Sequence, residues 1–290
     1  MALVSMKEIL KTARRQHYAV GGFEFWSYDS ARAVVRTAER LRVPVILQVG
    51  HFERDYMGGY PNAYKLAAMA AAETDCDVAL HLDHAEEYEE VLRALDAGFT
   101  SVMIDASMKP YGQNSEITGH VVETARRYGA SVEAELGKLG GEEGKLKGNG
   151  ENTQTDPAEA LEFVRQTGID ALAVAIGTAH GFYDGIPKIN ILRLKQIASV
   201  VSIPLVLHGG SDTPNEKVAE AIAHGIAKVN ICTEFIHSFG SAYVQAQAVP
   251  GFKYNVFSLF KAGMEAAEAL VAKKLRLFSG SSIRSETHKP

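Results

Sequence analysis

Eight short apolar runs rich in Val, Ile and Leu recur along the chain, with longer stretches of helical spacing between them. The runs fall at 19–25, 44–50, 77–83, 101–105, 131–136, 170–177, 204–209 and 227–231. Helical spacing fits 86–97, 114–129, 156–167, 188–200 and 214–224. Asp156 stands where an N-cap belongs, with Pro157 at the first helical position and Glu159 at the third. All three suit a helix start. Thr213 before Pro214 repeats the device, and Gly98, Gly129, Gly168 and Gly225 follow helical stretches as C-terminal caps do.

Apolar strands alternating with helices predict a parallel sheet covered on both faces. Eight such units predict an α/β fold of the (β/α)8 TIM-barrel class, with 1–290 as one domain. A doubly wound open sheet is the alternative. It would carry GxGxxG after its first strand. Here Gly21 and Gly22 lie inside the run and FEFWSYDS follows.

The net charge of −5 excludes a generally basic, nucleic-acid-binding surface. Cys76 and Cys232 are too few for a disulfide framework or a thiolate zinc site, which suits a reducing cytoplasm. The first residues, MALVSMKEILKTARRQHYAV, lack the long apolar core of a signal peptide. No run reaches the ~18 apolar residues of a spanning helix. The expectation is a cytoplasmic protein with neither membrane nor nucleic-acid partners. The glycine-dense segment 137–156 reads as an active-site loop, mobile near 138–152, rather than a linker.

In a barrel, reactive groups belong at the carboxyl ends of the strands. The runs end in Asp83 and His84, in Asp105, in Glu133 and Glu135, in Thr178, His180 and Gly181, in His208 to Ser211, and in Asn230, Thr233 and Glu234. His84, His180 and His208, from three strands, supply the three nitrogens of an open, catalytic divalent site, with the fourth position left for substrate. His81 reads as a core or supporting group, and His51, His120 and His224 as ordinary loop or surface histidines. His208-Gly209-Gly210-Ser211 and Asn230-Ile231-Cys232-Thr233 form an anion cradle where barrel enzymes commonly hold phosphate.

The motifs HLDHAEEYEEVLRALDAGFTSVMIDAS, EAELGKLGGEE, AVAIGTAHGFYDGIPKI, LVLHGGSD and KVNICTE resemble the metal-dependent class II fructose-bisphosphate/tagatose-bisphosphate aldolase family. They follow one another in family order and spacing, closest to the tagatose-bisphosphate branch. The resemblance implies reversible cleavage of a ketose 1-phosphate or 1,6-bisphosphate to dihydroxyacetone phosphate and an aldehyde, through a zinc-stabilised enediolate. It implies Zn²⁺ or another divalent metal on His84, His180 and His208, with Glu135 and Asp105 holding the metal in an alternative position. Asp83 corresponds to the group that moves the proton on the aldehyde oxygen, and Glu143 to the one that moves the proton at the ketose-phosphate carbon. Gly181, Gly209, Gly210, Ser211, Asn230, Ile231, Cys232 and Thr233 correspond to the dihydroxyacetone phosphate cradle, beside which a monovalent cation (Na⁺ or K⁺) is common. A homodimer or homotetramer is the expected assembly.

Three positions depart from the pattern. Glu24 stands where many relatives have Asn, Asp184 where many have Lys, and Gly50-His51 where some have Ser. These changes favour a substrate whose distal end is not a second phosphate, with Arg54 and Tyr56 as candidate readers of that end. Lys228 is the one lysine that could serve a metal-free Schiff-base mechanism. Arg284 is a weak candidate for completing a neighbouring subunit's site. The competing functions are an aldolase of a modified, non-bisphosphate sugar phosphate, a metal-dependent barrel isomerase or epimerase, and a non-catalytic phosphate-sensing barrel.

Overall fold

The structure, a computed structural model, describes residues 3–137, 140–141, 154–183, 185, 187–249 and 255–280. Eight parallel strands close into a barrel: β1 (Val20–Glu24), β2 (Val45–Val49), β3 (Val78–Ala85), β4 (Ser101–Ile104), β5 (Ser131–Leu136), β6 (Ala171–Val174), β7 (Leu205–Leu207) and β8 (Ile226–Ile231). Each strand neighbours its sequence successor, and β8 pairs with β1 through Gly22↔Asn230. This is the expected (β/α)8 architecture. β6 stops at Val174, short of the predicted run, because Thr155 takes over its ladder. Thr155 N donates to the Ala175 carbonyl at 3.0 Å, and Thr155 Oγ1 accepts from Ala175 N at 2.8 Å.

The helices are α1 (Met6–Gln16), α2 (Tyr28–Leu41), α3 (His51–Met57), α4 (Tyr60–Ala71), α5 (Tyr88–Ala97), α6 (Tyr111–Tyr128), α7 (Pro157–Thr167), α8 (Ile191–Val200), α9 (Asn215–Ala223), α10 (Thr233–Gln247) and α11 (Val256–Ser279). Asp156 caps α7 as expected, its Oδ1 accepting from Ala158 N at 2.8 Å and Glu159 N at 3.1 Å. Thr213 does not cap α9. Its buried hydroxyl donates to the Gly209 carbonyl at 2.9 Å, so the helix begins only after Pro214. The requirement that won is satisfying a buried carbonyl.

Two layers of side chains position the site. Between strands and helices lies one contiguous apolar cluster. Inside the barrel, the lower half is filled by Val20, Ile46, Ala79, Ala171, Ala173, Val206 and Ala227, closed by Met6, Ile9, Leu10 and Ala13 of α1. The small residues leave room for that plug. Above it the interior turns polar. Ser131, Ser101, His81, Gln48 and Glu24 are successive register partners from β5 to β1. Lateral partners share a face, and tilted strands carry a row upward. The row therefore climbs from strand starts to the mouth. Gln48 lies so close over β1 that a Cβ at Gly22 would sit 1.6 Å from its Oε1.

The plug is the part of this core that truncation tests most cleanly. Leu10→Ala, at a fully buried position, should cost about 2–5 kcal/mol of unfolding free energy in guanidinium titrations. It should leave divalent-metal affinity unchanged. A loss under about 1 kcal/mol would show that α1 does not seal the barrel.

Candidate active site

Strand β3 contains the irregularity that builds the site. Its pairing with β4 runs Leu82↔Val102 and then Ala85↔Ile104, so β3 spends one residue more than its partner. That extra residue is a β-bulge. His84 takes it up in the left-handed region, at φ 49°, a costly conformation for a residue with a Cβ. In a regular strand Asp83 and His84 would face opposite sides. Here both line the cavity at the barrel mouth.

His84 and His180 line this cavity and His208 lies buried beside them, each of the three offering a nitrogen within 4.8 Å of the others. His84 Nδ1 is bonded to Asp105 Oδ2 at 2.9 Å. His208 Nε2 is bonded to Glu133 Oε1 at 2.8 Å. The remaining nitrogens, His84 Nε2 and His208 Nδ1, face each other at 2.8 Å. Carboxylates thus fix which nitrogen of each ring points inward, as they do around bound metals. Glu135 and Asp105 form a second donor set with His84.

Glu133 was visible in the sequence only as a strand-end carboxylate. It is fully buried, and its Oε2 accepts from Lys228 Nζ at 2.9 Å. Lys228 is itself fully buried and lines neither mouth cavity. An ammonium already paired and sealed from substrate does not serve as a Schiff-base nucleophile, which disposes of that alternative.

Asp83 accepts from Asn230 Nδ2 at 3.3 and 3.1 Å, and His81 Nε2 approaches it at 3.4 Å. Burial opposes the Asp83 charge, but His84 and the Lys228 ammonium outweigh burial and hold the carboxylate well below its usual range. Burial alone would lower the His84 pKa, yet the Asp83 charge and the Asp105 hydrogen bond raise it to about 10. Burial and the His84 charge pull His208 down to about 4. Burial and the Asp105 charge push Glu135 well above the carboxylate range.

A smaller cavity adjoins the histidines, lined by Gly181, Gly209, Ser211, Asn230, Ile231, Cys232 and Thr233 together with Glu24, Asp83 and His180. Gly209 sits at φ 67°, and a Cβ there would lie 2.2 Å from the Ala179 carbonyl oxygen, so only glycine lets the β7 loop close on the segment carrying His180. Gly210 does not line the cavity. Its amide donates to the Asn230 carbonyl at 3.2 Å, packing the β7 loop on β8. Tyr183, passed over in the sequence, fastens this corner. Its hydroxyl accepts from Ala179 N at 2.9 Å and donates to the Gly209 carbonyl at 3.1 Å.

The main cavity, about 360 Å³, also takes in Glu24, His51, Phe52, Glu53, Glu86, Glu87 and Lys109. Arg54 and Tyr56 are absent from its lining. Arg54 turns away to Asp55 at 2.8 Å, to Tyr60 at 3.1 Å and to Glu90, and Tyr56 is exposed. His51, Phe52 and Glu53, in the first turn of α3, border the cavity instead, with only Glu53 buried. Glu143, Asp184, Arg284 and the loop 142–153 lie outside the described residues.

Fold and site define a TIM-barrel protein with a buried charge network and a histidine cluster at its mouth. Residues 4–282 match the family described as Fructose-bisphosphate aldolase class-II. The fructose-bisphosphate aldolase of Geobacillus stearothermophilus is 42% identical over 283 residues, covering 97% of this chain and 98% of that relative. The 6-phospho-5-dehydro-2-deoxy-D-gluconate aldolase of Bacillus velezensis is 37% identical over 290 residues, covering 99% of each. The crystal structure of the YdjI aldolase from Escherichia coli K12 matches with a TM-score of 0.85 at 31% identity, covering 97% of this chain and 100% of that one. The chain belongs to the class II fructose-bisphosphate aldolase family and is an aldolase. Among the described residues, no helix is long and apolar enough to cross a membrane.

The family is typically metal-dependent, and the donor set here fits a divalent cation: three imidazoles from separate strand ends, two with their outer nitrogens held by carboxylates. A cation entering this set must displace the His84 proton. Because the metal-free His84 pKa is about 10, affinity should rise about tenfold per pH unit from pH 6 to 9 and level off near pH 10. Calorimetry in buffers of different ionisation enthalpy should read at least about one proton released. An affinity independent of pH would place the cation away from His84.

Proposed function

We propose that this chain reversibly cleaves a ketose 1-phosphate or 1,6-bisphosphate of the fructose or tagatose type to dihydroxyacetone phosphate and an aldehyde, with Zn²⁺ as its metal. The observation that carries this reading is the junction of the two cavities. Asp83 and His180 line both, one cavity also bearing His84 and the other the glycine-rich cradle.

A divalent cation on His84, His180 and His208 supplies the positive charge needed beside the ketone as its carbon–carbon bond breaks. The cradle holds the phosphate at the loops after β7 and β8, at the start of α10. Asp83 takes the proton of the C4 hydroxyl as the C3–C4 bond breaks. The bonding pair stays with the dihydroxyacetone phosphate fragment, and the aldehyde leaves. Asn230, through its two contacts to Asp83, aims that carboxylate. In our proposal Glu143 returns the proton to C3.

Glu24 lines both cavities, and in this reading it faces the distal end of the substrate from the main one. This carboxylate is buried, and its Oε2 accepts from Gly50 N at 3.0 Å. Two like charges ~4 Å apart repel by ~4 kcal/mol at an effective dielectric near 20, and a fraction of that disfavours a second phosphate. The Bacillus velezensis relative, named for a gluconate derivative rather than a bisphosphate, supports a modified distal end as the second reading.

Dihydroxyacetone phosphate should appear stoichiometrically with aldehyde from at least one ketose phosphate. Chelation should abolish this, and borohydride should trap no substrate on any lysine. Asp83→Asn should lower kcat by about 10²–10⁴-fold while retaining the metal. Turnover surviving metal removal would overturn the reading. On specificity, kcat/KM for a 1-phosphate should match or exceed that for the corresponding 1,6-bisphosphate, and Glu24→Asn should shift the ratio toward the bisphosphate. A wild-type bisphosphate preference of about 100-fold, or about 2.7 kcal/mol, would remove Glu24 from that role.

A further inference from the structure

Beside the histidine cluster lies a third set of potential cation-binding groups. His81, Asp83 and Glu133 each offer a donor atom within 4.8 Å of the others, a group that could hold a metal ion. All three are buried, and Lys228 fills their midst. Lys228 Nζ is 2.9 Å from Glu133 Oε2 and 4.0 Å from Asp83 Oδ1. A fully buried lysine is rare unless paired. Here the pairing of β8 with β7 is irregular between Ile226 and Lys228, just where this side chain enters the barrel.

Building on the three-histidine metal site proposed above, we infer that Lys228 is a built-in cation. It holds Glu133 in place and, through Glu133, aims His208 Nδ1 at the metal. The pocket it occupies is a site for a small ammonium ion.

The geometry forms one continuous relay. Lys228 donates to one oxygen of Glu133, and the other oxygen accepts from His208 Nε2. A hydrogen on Nε2 leaves the lone pair on Nδ1, the nitrogen that faces His84. Without the ammonium, Glu133 becomes a buried charge with no cation beside it. Its next polar neighbour in that direction, His81 Nε2, stands at 3.7 Å, beyond hydrogen-bonding distance. Of the two bonds that hold the rotamer orienting His208, only the one to His208 itself then remains. Lys228 touches neither mouth cavity, so it acts as a positioning residue and not on substrate.

Zinc affinity, read by competition with a chromogenic chelator at fixed pH, tests this without reference to turnover. Lys228→Ala should bind zinc 10–100-fold more weakly, the range for removing supports behind metal ligands. Methylammonium chloride should restore at least about tenfold of that loss. Tetramethylammonium at the same ionic strength, too large for the hole, should restore none. Lys228→Met, which fills the hole without charge, should lose as much and respond to neither salt. Wild-type zinc affinity in Lys228→Met, or a loss in Lys228→Ala that methylammonium does not reverse, overturns the proposal. If Lys228→Ala is too unstable to titrate, its thermal midpoint carries the same test. Methylammonium should raise that midpoint and tetramethylammonium should not, and no selective rise overturns the proposal. Wild-type protein that binds no zinc, or a His208→Ala variant that binds it undiminished, would instead sink the metal reading itself.

Discussion

Charge buried inside a closed barrel must be neutralised by the barrel's own side chains, and this constraint organises the upper half of the structure. Once β8 meets β1 the barrel has no open edge. The lower half needs only volume, which small apolar residues and the α1 plug provide. The upper half holds Asp83, Glu133, Glu135, Lys228, His81 and His208 in little or no water. Such groups are costly unless paired. Glu133 is therefore fastened on both oxygens, and Asp83 is approached by Asn230, His81 and Lys228.

That network also explains why the mouth is preorganised. His84, His180 and His208 enter from three different strand ends, yet their supports come from elsewhere in the barrel. Asp105 at the end of β4 holds His84, and Glu133 on β5 holds His208. The strand framework sets these separations. The loops contribute where close approach is required, as at Gly209 and Tyr183.

The barrel class was legible in the sequence because eight apolar runs alternating with helical spacing have few other solutions. The three histidines were legible because barrel geometry assigns meaning to a strand's last residues. The bulge in β3 was not. Nothing in HLDHA shows that Asp83 and His84 will face the same way, since that follows from a register mismatch with β4. The partnership of Glu133 with Lys228 was hidden for a related reason. Sequence shows a carboxylate and a lysine 95 positions apart, and only barrel closure makes them partners. Arg54 was expected at the mouth from its place in the loop. The 3.6-residue period of α3 turns it instead toward Glu90 and Tyr60.

The site departs locally from what stability alone would select. His84 occupies a left-handed conformation, and Gln48 Nε2 and Oε1, Glu135 Oε2 and Asn230 Oδ1 are buried without hydrogen-bond partners. Each such group costs free energy. All four residues lie on the interior faces of the barrel strands or at its mouth, whereas a contiguous apolar cluster packs between strands and helices. The molecule thus separates two requirements in space. The outer shell and the α1 plug supply cohesion, and that cohesion holds strained and incompletely bonded groups in the geometry the chemistry needs. Glu135 shows why these groups are kept. Its carboxyl, raised well above the usual range by burial and by Asp105, sits beside His84 in the second donor set. A cation held by His84, Asp105 and Glu135 would give the Glu135 oxygen the partner it lacks among the protein's own groups.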